Sequence, residues 1–200
     1  MQQPQLQRLP ERVVVVGTSG SGKTTMARRL ANLLGGTHIE VDALHWGPNW
    51  TEMPTEVLRQ RAEAAVLAER WVVDGNYGKI RDVLWSRADT IIWLDYSFPL
   101  IMGRLLYRTF RRALLREKLW SDNQENLWNC FFSRDSIFLW AIQTYGRHRK
   151  NYPQLFKQPE YAHIQRVHLQ SARAAEKFLQ EVANQVEGAL AMREGRQQAV

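Results

Sequence analysis

Gly17, Gly20 and Gly22 punctuate a short turn that runs directly into Lys23, Thr24 and Thr25. The spacing Gly17-x-x-x-x-Gly22-Lys23-Thr24 is the P-loop pattern, and each residue type in it has a chemical use. Glycines let the backbone adopt positive φ and approach a polyphosphate with no Cβ in the way. The N–H groups of Gly17, Thr18, Ser19, Gly20, Ser21 and Gly22 then form a nest of positive partial charge, continued by the following helix N-terminus. Lys23 reaches the terminal phosphates, and the Thr24 hydroxyl is a ligand of the type magnesium takes. The segment reads as a site for ATP or a group shaped like its polyphosphate, with Mg2+ as companion ion.

Such a turn works only between a strand and a helix, and the sequence supplies both. Arg12–Val16 is an unbroken apolar run, as in a strand covered on both faces. Thr24–Leu34 has an apolar helical face of Met26, Leu30, Leu33 and Leu34, and Gly35-Gly36 ends it. Further strands are expected at Thr37–Val41, Trp71–Gly75, Thr90–Asp95 and Ile164–Leu169. Helices are expected at Pro54–Glu69, Lys79–Arg87, Leu100–Lys118, Arg134–Lys150 and Ala172–Leu190. Residues 42–50 read as an aromatic loop and 119–133 as a mobile connection.

Strands alternating with helices predict a three-layer α/β/α fold around a five-stranded parallel sheet. Ligands of such sheets bind beyond the carboxyl ends of the strands. Asp42, Asp74 and Asp95 each fall there, beside the phosphate loop. Residues 1–200 are expected to form a single domain, loose at residues 1–10 and 190–200.

Composition narrows the class. With 44% hydrophobic and 24% charged residues the chain reads as an ordinary globular protein. No apolar run approaches the roughly 20 residues of a membrane span. The N-terminus lacks a signal-peptide core, and lone Cys130 has no partner for an internal disulfide or for metal-type spacing. These features point to a cytoplasmic protein with no membrane association. The formal charge of +7 is concentrated in Arg104–Lys118 and Arg147–Lys150, clusters able to clamp phosphates or to coat nucleic acid. The GTPase Asn-Lys-x-Asp and transporter Leu-Ser-Gly-Gly-Gln motifs are both missing.

The segments Gly17–Thr25, Glu40–Trp46, Trp71–Tyr77, Trp93–Tyr96, Arg104–Arg112 and Ser133–Ile137 together resemble the adenylate-kinase and shikimate-kinase branch of P-loop kinases. Within it they are most similar to small bacterial adenylate-kinase-like proteins of the DNA topology modulation type. The resemblance spans roughly residues 12–170. It implies a nucleoside-monophosphate-kinase-like fold with an acceptor-binding segment at 42–69 and a basic helical lid at 100–150. It also implies that Asp74, with Thr24, organises magnesium, and that Asp42 orients the acceptor hydroxyl or takes its proton. Arg104 and Arg108, four residues apart on one helix face, match the arginines that begin the lid. Arg134 stands where a second phosphate clamp would return.

Each of these has a structural alternative. Asp42 and Asp74 can cap the turns that follow, Asp95 can be structural, and Arg104, Arg108, Arg111, Arg112 and Arg116 can form a solvated basic face. On the acceptor side, His45 and Trp46 fall in the segment after the second strand. Arg81 offers a cation where the adenylate-kinase arginine is missing from Asp74-Gly-Asn-Tyr-Gly-Lys-Ile-Arg81. The segment after the second strand, with His45, Trp46 and Trp50 and no arginine until Arg59, suits a flat aromatic or polyol acceptor at least as well as a nucleoside monophosphate. His38, His148, His163 and His168 read as structural or surface groups, and Trp85, Trp93 and Trp140 as core. The favoured expectation is an ATP-dependent small-molecule kinase. The alternatives are an ATP-dependent nucleic-acid-binding regulator or an ATP sensor without transfer. Oligomeric state is left open.

Overall fold

The computed structural model describes residue 6 and residues 8–75, 77–115, 119–123 and 136–197. Strands β1 (Arg12–Gly17), β2 (Thr37–Glu40), β3 (Trp71–Asp74), β4 (Thr90–Leu94) and β5 (Gln165–Leu169) form one sheet, ordered β2-β3-β1-β4-β5. All its pairings are parallel. The helices are α1 (Lys23–Leu34), α2 (Val41–His45), α3 (Thr55–Ala65), α4 (Arg81–Arg87), α5 (Phe98–Leu114), α6 (Ile137–Leu155) and α7 (Ala172–Gln197). The result is the expected three-layer α/β/α arrangement, with β1 and its P-loop at the centre of the sheet.

The central strand shows why its apolar run does not alternate. Val13 and Val15 pack into one core with Ala27 and Leu30 of α1 and with Phe178 and Val182 of α7. Val14 and Val16 point the other way, into a core with Leu58 and Ala62 of α3 and Leu84 and Trp85 of α4. Successive strand residues face opposite layers, so a strand covered twice must be apolar throughout. Each fully buried aliphatic or aromatic side chain contributes about 1.5–3 kcal/mol. The Arg29–Glu176 ion pair between α1 and α7 is exposed, and such pairs add little. Apolar burial therefore holds the outer helices on the sheet.

Several expectations are corrected. Residues 41–45 of the supposed loop form a helical turn, with Asp42 in its first turn, where a carboxylate suits the helix dipole. The helix after Pro54 stops at Ala65, short of Glu69. The basic helix begins at Phe98, because Pro99 fits its first turn, and ends at Leu114. Its successor runs from Ile137 to Leu155, with the Ser136 side chain accepting a hydrogen bond from the Phe138 N–H at its start. Helix α7 continues to Gln197. Leu6, within the lead-in expected to be loose, is buried in the core beside α7. Within the expected mobile connection, residues 119–123 make a defined turn packed on the segment after β2. No helix among the described residues is long and apolar enough to cross a membrane.

Candidate functional site

The P-loop joins β1 to α1 at the carboxyl end of the sheet. Gly20 and Gly22 have φ of 85° and 91°, which side chains rarely adopt, and Gly22 caps α1. A Cβ on Gly20 would stand 2.8 Å from the Ile101 carbonyl oxygen, so α5 lies directly on the loop. The Thr18 carbonyl accepts from the Ser21 N–H at 3.0 Å and from Lys23 Nζ at 3.4 Å. Thr18 and Ser21 are buried, Ser19, Lys23 and Thr24 half-buried, and Thr25 exposed on α1. The buried Ser21 hydroxyl has no hydrogen-bond partner among the described residues.

Lys23 is the electrostatic focus. Burial pulls its pKa below the usual lysine value, the Asp42 and Asp74 carboxylates oppose that pull, and the Arg108 guanidinium reinforces it. The structure thus gathers Lys23, Asp42, Asp74 and Arg108, which are dispersed over four elements. Asp74 ends β3, is buried, and accepts from His38 Nε2 at 2.9 Å. Asp42 accepts from the Tyr77 hydroxyl at 2.6 Å. Burial, and then the Asp42 charge, push the Tyr77 pKa up, so the phenol keeps its proton. Asp95 goes elsewhere: it bonds Arg149 Nε at 2.6 Å and His168 Nε2 at 3.0 Å, clamping α6 to β5.

Arg104 reaches the loop from α5. Its Nη1 donates to the Ser21 carbonyl at 3.3 Å, and its guanidinium sits 5.2 Å from the Tyr96 ring centroid. Arg134 lies outside the described residues, as do Arg116 and Cys130. A further contribution comes from α6, which carries the Arg147–Lys150 cluster. His148 has its pKa lowered to about 4, first by burial and then by the charges of Lys23, Arg147 and Arg81. A neutral imidazole and Arg147 thus stand in the same field as Lys23.

The acceptor candidates form a second group beside these. Arg81 lies 5.5 Å from the Trp85 ring centroid. It lines a narrow cleft with Val16, Gly75, Tyr77, Trp85 and Tyr152. His45 is buried between Trp46 and Tyr77, with both ring centroids 4.7 Å away, and burial lowers its pKa. Residues 119–123 strap this region from outside. Asn123 Nδ2 donates to the Gly47 carbonyl at 2.9 Å, and Asn123 Oδ1 accepts from the Trp50 N–H at 3.0 Å. Ser121 Oγ donates to the Trp46 carbonyl at 2.9 Å. A wider recess lined by Arg8, Arg12, Arg87 and Asp89 lies at the amino end of the strands, away from all of these groups.

Tyr77, His38, His148 and the 119–123 strap were missed as site features by sequence reasoning. The available signal was position: Tyr77 follows Asp74-Gly75 closely, and His38 and Glu40 share one face of β2 by strand alternation.

Thr24 and Asp74 offer hard oxygen donors of the kind Mg2+ binds. Among the described residues no group of three or more His, Cys, Asp or Glu could hold a metal. A cation held by one or two protein oxygens, phosphate oxygens and water matches this donor set.

The chain matches no family model. It is 31% identical over 132 residues to a shikimate kinase of Synechococcus elongatus, covering 56% of this chain and 70% of the relative. It is 26% identical over 107 residues to the uncharacterized protein YqaC of Bacillus subtilis, covering 52% and 60% of the two chains. Its fold is shared with a shikimate kinase from Acinetobacter baumannii solved in complex with shikimate. That match has a TM-score of 0.51 and 17% identity over 90% of this chain and 94% of the other.

Proposed function

The chain belongs to the small P-loop kinases that include shikimate kinase, a family of phosphotransferases, and from that premise we propose that it transfers the γ-phosphoryl group of Mg-ATP to the hydroxyl of a small-molecule acceptor. The observation that carries this reading is the convergence of Lys23, Asp42, Asp74 and Arg108 at the P-loop, with Arg104 bonded to the loop itself.

In the proposed reaction the Gly17–Thr25 backbone holds the polyphosphate. Asp42, fixed by Tyr77, aligns the acceptor hydroxyl and takes its proton. The acceptor oxygen forms a bond to the γ-phosphorus as the bridging oxygen of ADP leaves with the electrons of the broken bond. Negative charge spreads over the equatorial oxygens in such a transfer. Lys23, Arg104 and Arg108 balance it, with planar guanidiniums suited to pairs of phosphate oxygens. Thr24 and Asp74 would hold Mg2+, which supplies charge neutralisation for the phosphates. Residues 42–69 form the acceptor side, with His45, Trp46 and Arg81 lining it, and residues 100–150 act as the lid.

ADP release from Mg-ATP, screened across shikimate-like hydroxy acids, sugars, polyols and nucleoside monophosphates, tests this. Acceptor-stimulated turnover that is lost in Lys23→Ala is the expected result. Full activity in Lys23→Ala, or tight Mg-ATP binding with no stimulation by any acceptor, would sink the assignment.

A further inference from the structure

Strands β2 and β3 place Glu40 directly opposite Asp74, with both residues near the carboxyl end of the sheet. Two carboxylates so close repel each other, and His38 reaches the second of them. It sits two residues before Glu40, on the same face of β2, in register with Val72. Such diagonal neighbours are within reach of a long side chain. Its Nε2 lies 2.9 Å from Asp74 Oδ2 and its Nδ1 3.9 Å from Glu40 Oε1. An ionised carboxylate only accepts, so Nε2 carries the hydrogen. Glu40 is held in turn from the strap, whose Trp120 indole N–H donates to Glu40 Oε2 at 3.0 Å. Two separate hydrogen bonds thus hold these side chains, His38 to Asp74 and the strap's Trp120 to Glu40.

We propose that His38 is a positioning residue of this site: it fixes the Asp74 carboxylate from the neighbouring strand. The proposal rests on the reading of Asp74 as the magnesium-organising carboxylate. A carboxylate free to rotate loses rotamer entropy when it engages an ion, and one already held does not. A hydrogen-bonded outer partner of this kind typically changes metal affinity about 10–100-fold when removed.

Calorimetric titration of ATP into the full-length protein, with and without MgCl2, separates the possibilities. In His38→Leu the MgCl2 concentration for half-maximal tightening of ATP binding should rise about tenfold. ATP affinity without magnesium should stay within about twofold, because the P-loop contacts do not involve His38. His38→Gln, whose amide nitrogen can reach Asp74, should restore magnesium dependence to within about threefold of the parent. His38→Asn, too short to reach, should behave like His38→Leu and replaces it should that variant fail to fold. An unchanged magnesium dependence in the Leu and Asn variants would overturn the proposal while leaving the reading of Asp74 intact. An equal loss of ATP affinity with and without magnesium would overturn it too, as a purely structural role. Absence of magnesium dependence in the parent would overturn the reading of Asp74 and this proposal together.

Discussion

At His148 the local environment has a consequence measurable without any substrate. Its pKa is lowered from 6.5 to about 4, chiefly by burial and then by Lys23, Arg147 and Arg81. The unfolded chain therefore takes up a proton at this position near pH 6.5, while the folded chain stays neutral to about pH 4. Wherever the unfolded state binds more protons, stability rises with pH. The contribution of His148 is thus present above pH 6.5 and lost as pH falls towards 4. Full linkage gives at most about 1.4 kcal/mol per pH unit, and partial exposure reduces it. His148→Gln should shrink the stability difference between pH 7 and pH 5 by about 1 kcal/mol, read from urea unfolding at both values. An identical pH dependence in the variant would place His148 in solvent rather than against the cationic cluster.

Elements meet most closely where α5 crosses the P-loop. Gly20 has φ of 85°, and a Cβ there would meet the Ile101 carbonyl oxygen at 2.8 Å and Leu105 Cβ at 3.2 Å. Neither backbone can yield without moving α5, so Gly20→Ala should cost about 1–3 kcal/mol. Gly103 lies on the same helix with nothing within 4 Å of its hypothetical Cβ. Gly103→Ala should stabilise by about 0.5–1 kcal/mol through helix propensity alone. Thermal unfolding of the pair checks both, and a Gly20→Ala protein as stable as the parent would show that α5 is not seated on the loop. The same scale explains what the sequence disclosed. The P-loop and β1 were legible because their chemistry is local, written in consecutive residues with a fixed spacing. The turn of α2 was not, since five residues, Val41–His45, are too few to show a helical period. The role of Tyr77 depends on a partner 35 positions away, that of His38 on one 36 away, and that of Asn123 on one 76 away. Those contacts exist only once β2, β3 and the strap are side by side, so no local pattern announces them.

For the molecule as a whole, the distribution of charge matters more than its sum. The formal charge is +7, and part of the excess is folded inward: Lys23 and Arg108 act on each other, and Arg81 and Arg147 act on His148. Gathering like charges at one end of the sheet costs free energy, which an anionic ligand would recover. A ligand that binds only the folded state stabilises it by RT ln(1 + [L]/Kd), about 2.7 kcal/mol at one hundred times Kd. A chain of this size gains about 2–4 °C in Tm per kcal/mol, so saturating Mg-ATP should raise Tm by roughly 5–10 °C. Lys23→Ala removes a cation that interacts with both carboxylates and should lose most of that gain, with its ligand-free Tm changed far less. Raising NaCl from 50 to 500 mM should also reduce the gain, because ion pairing at a half-open site is screened. An equal Mg-ATP shift in the parent and in Lys23→Ala would mean that the nucleotide is held away from the P-loop. The inward charge would then need another ligand, and the wider recess lined by Arg8, Arg12 and Arg87 at the opposite end of the sheet would be the next place to look.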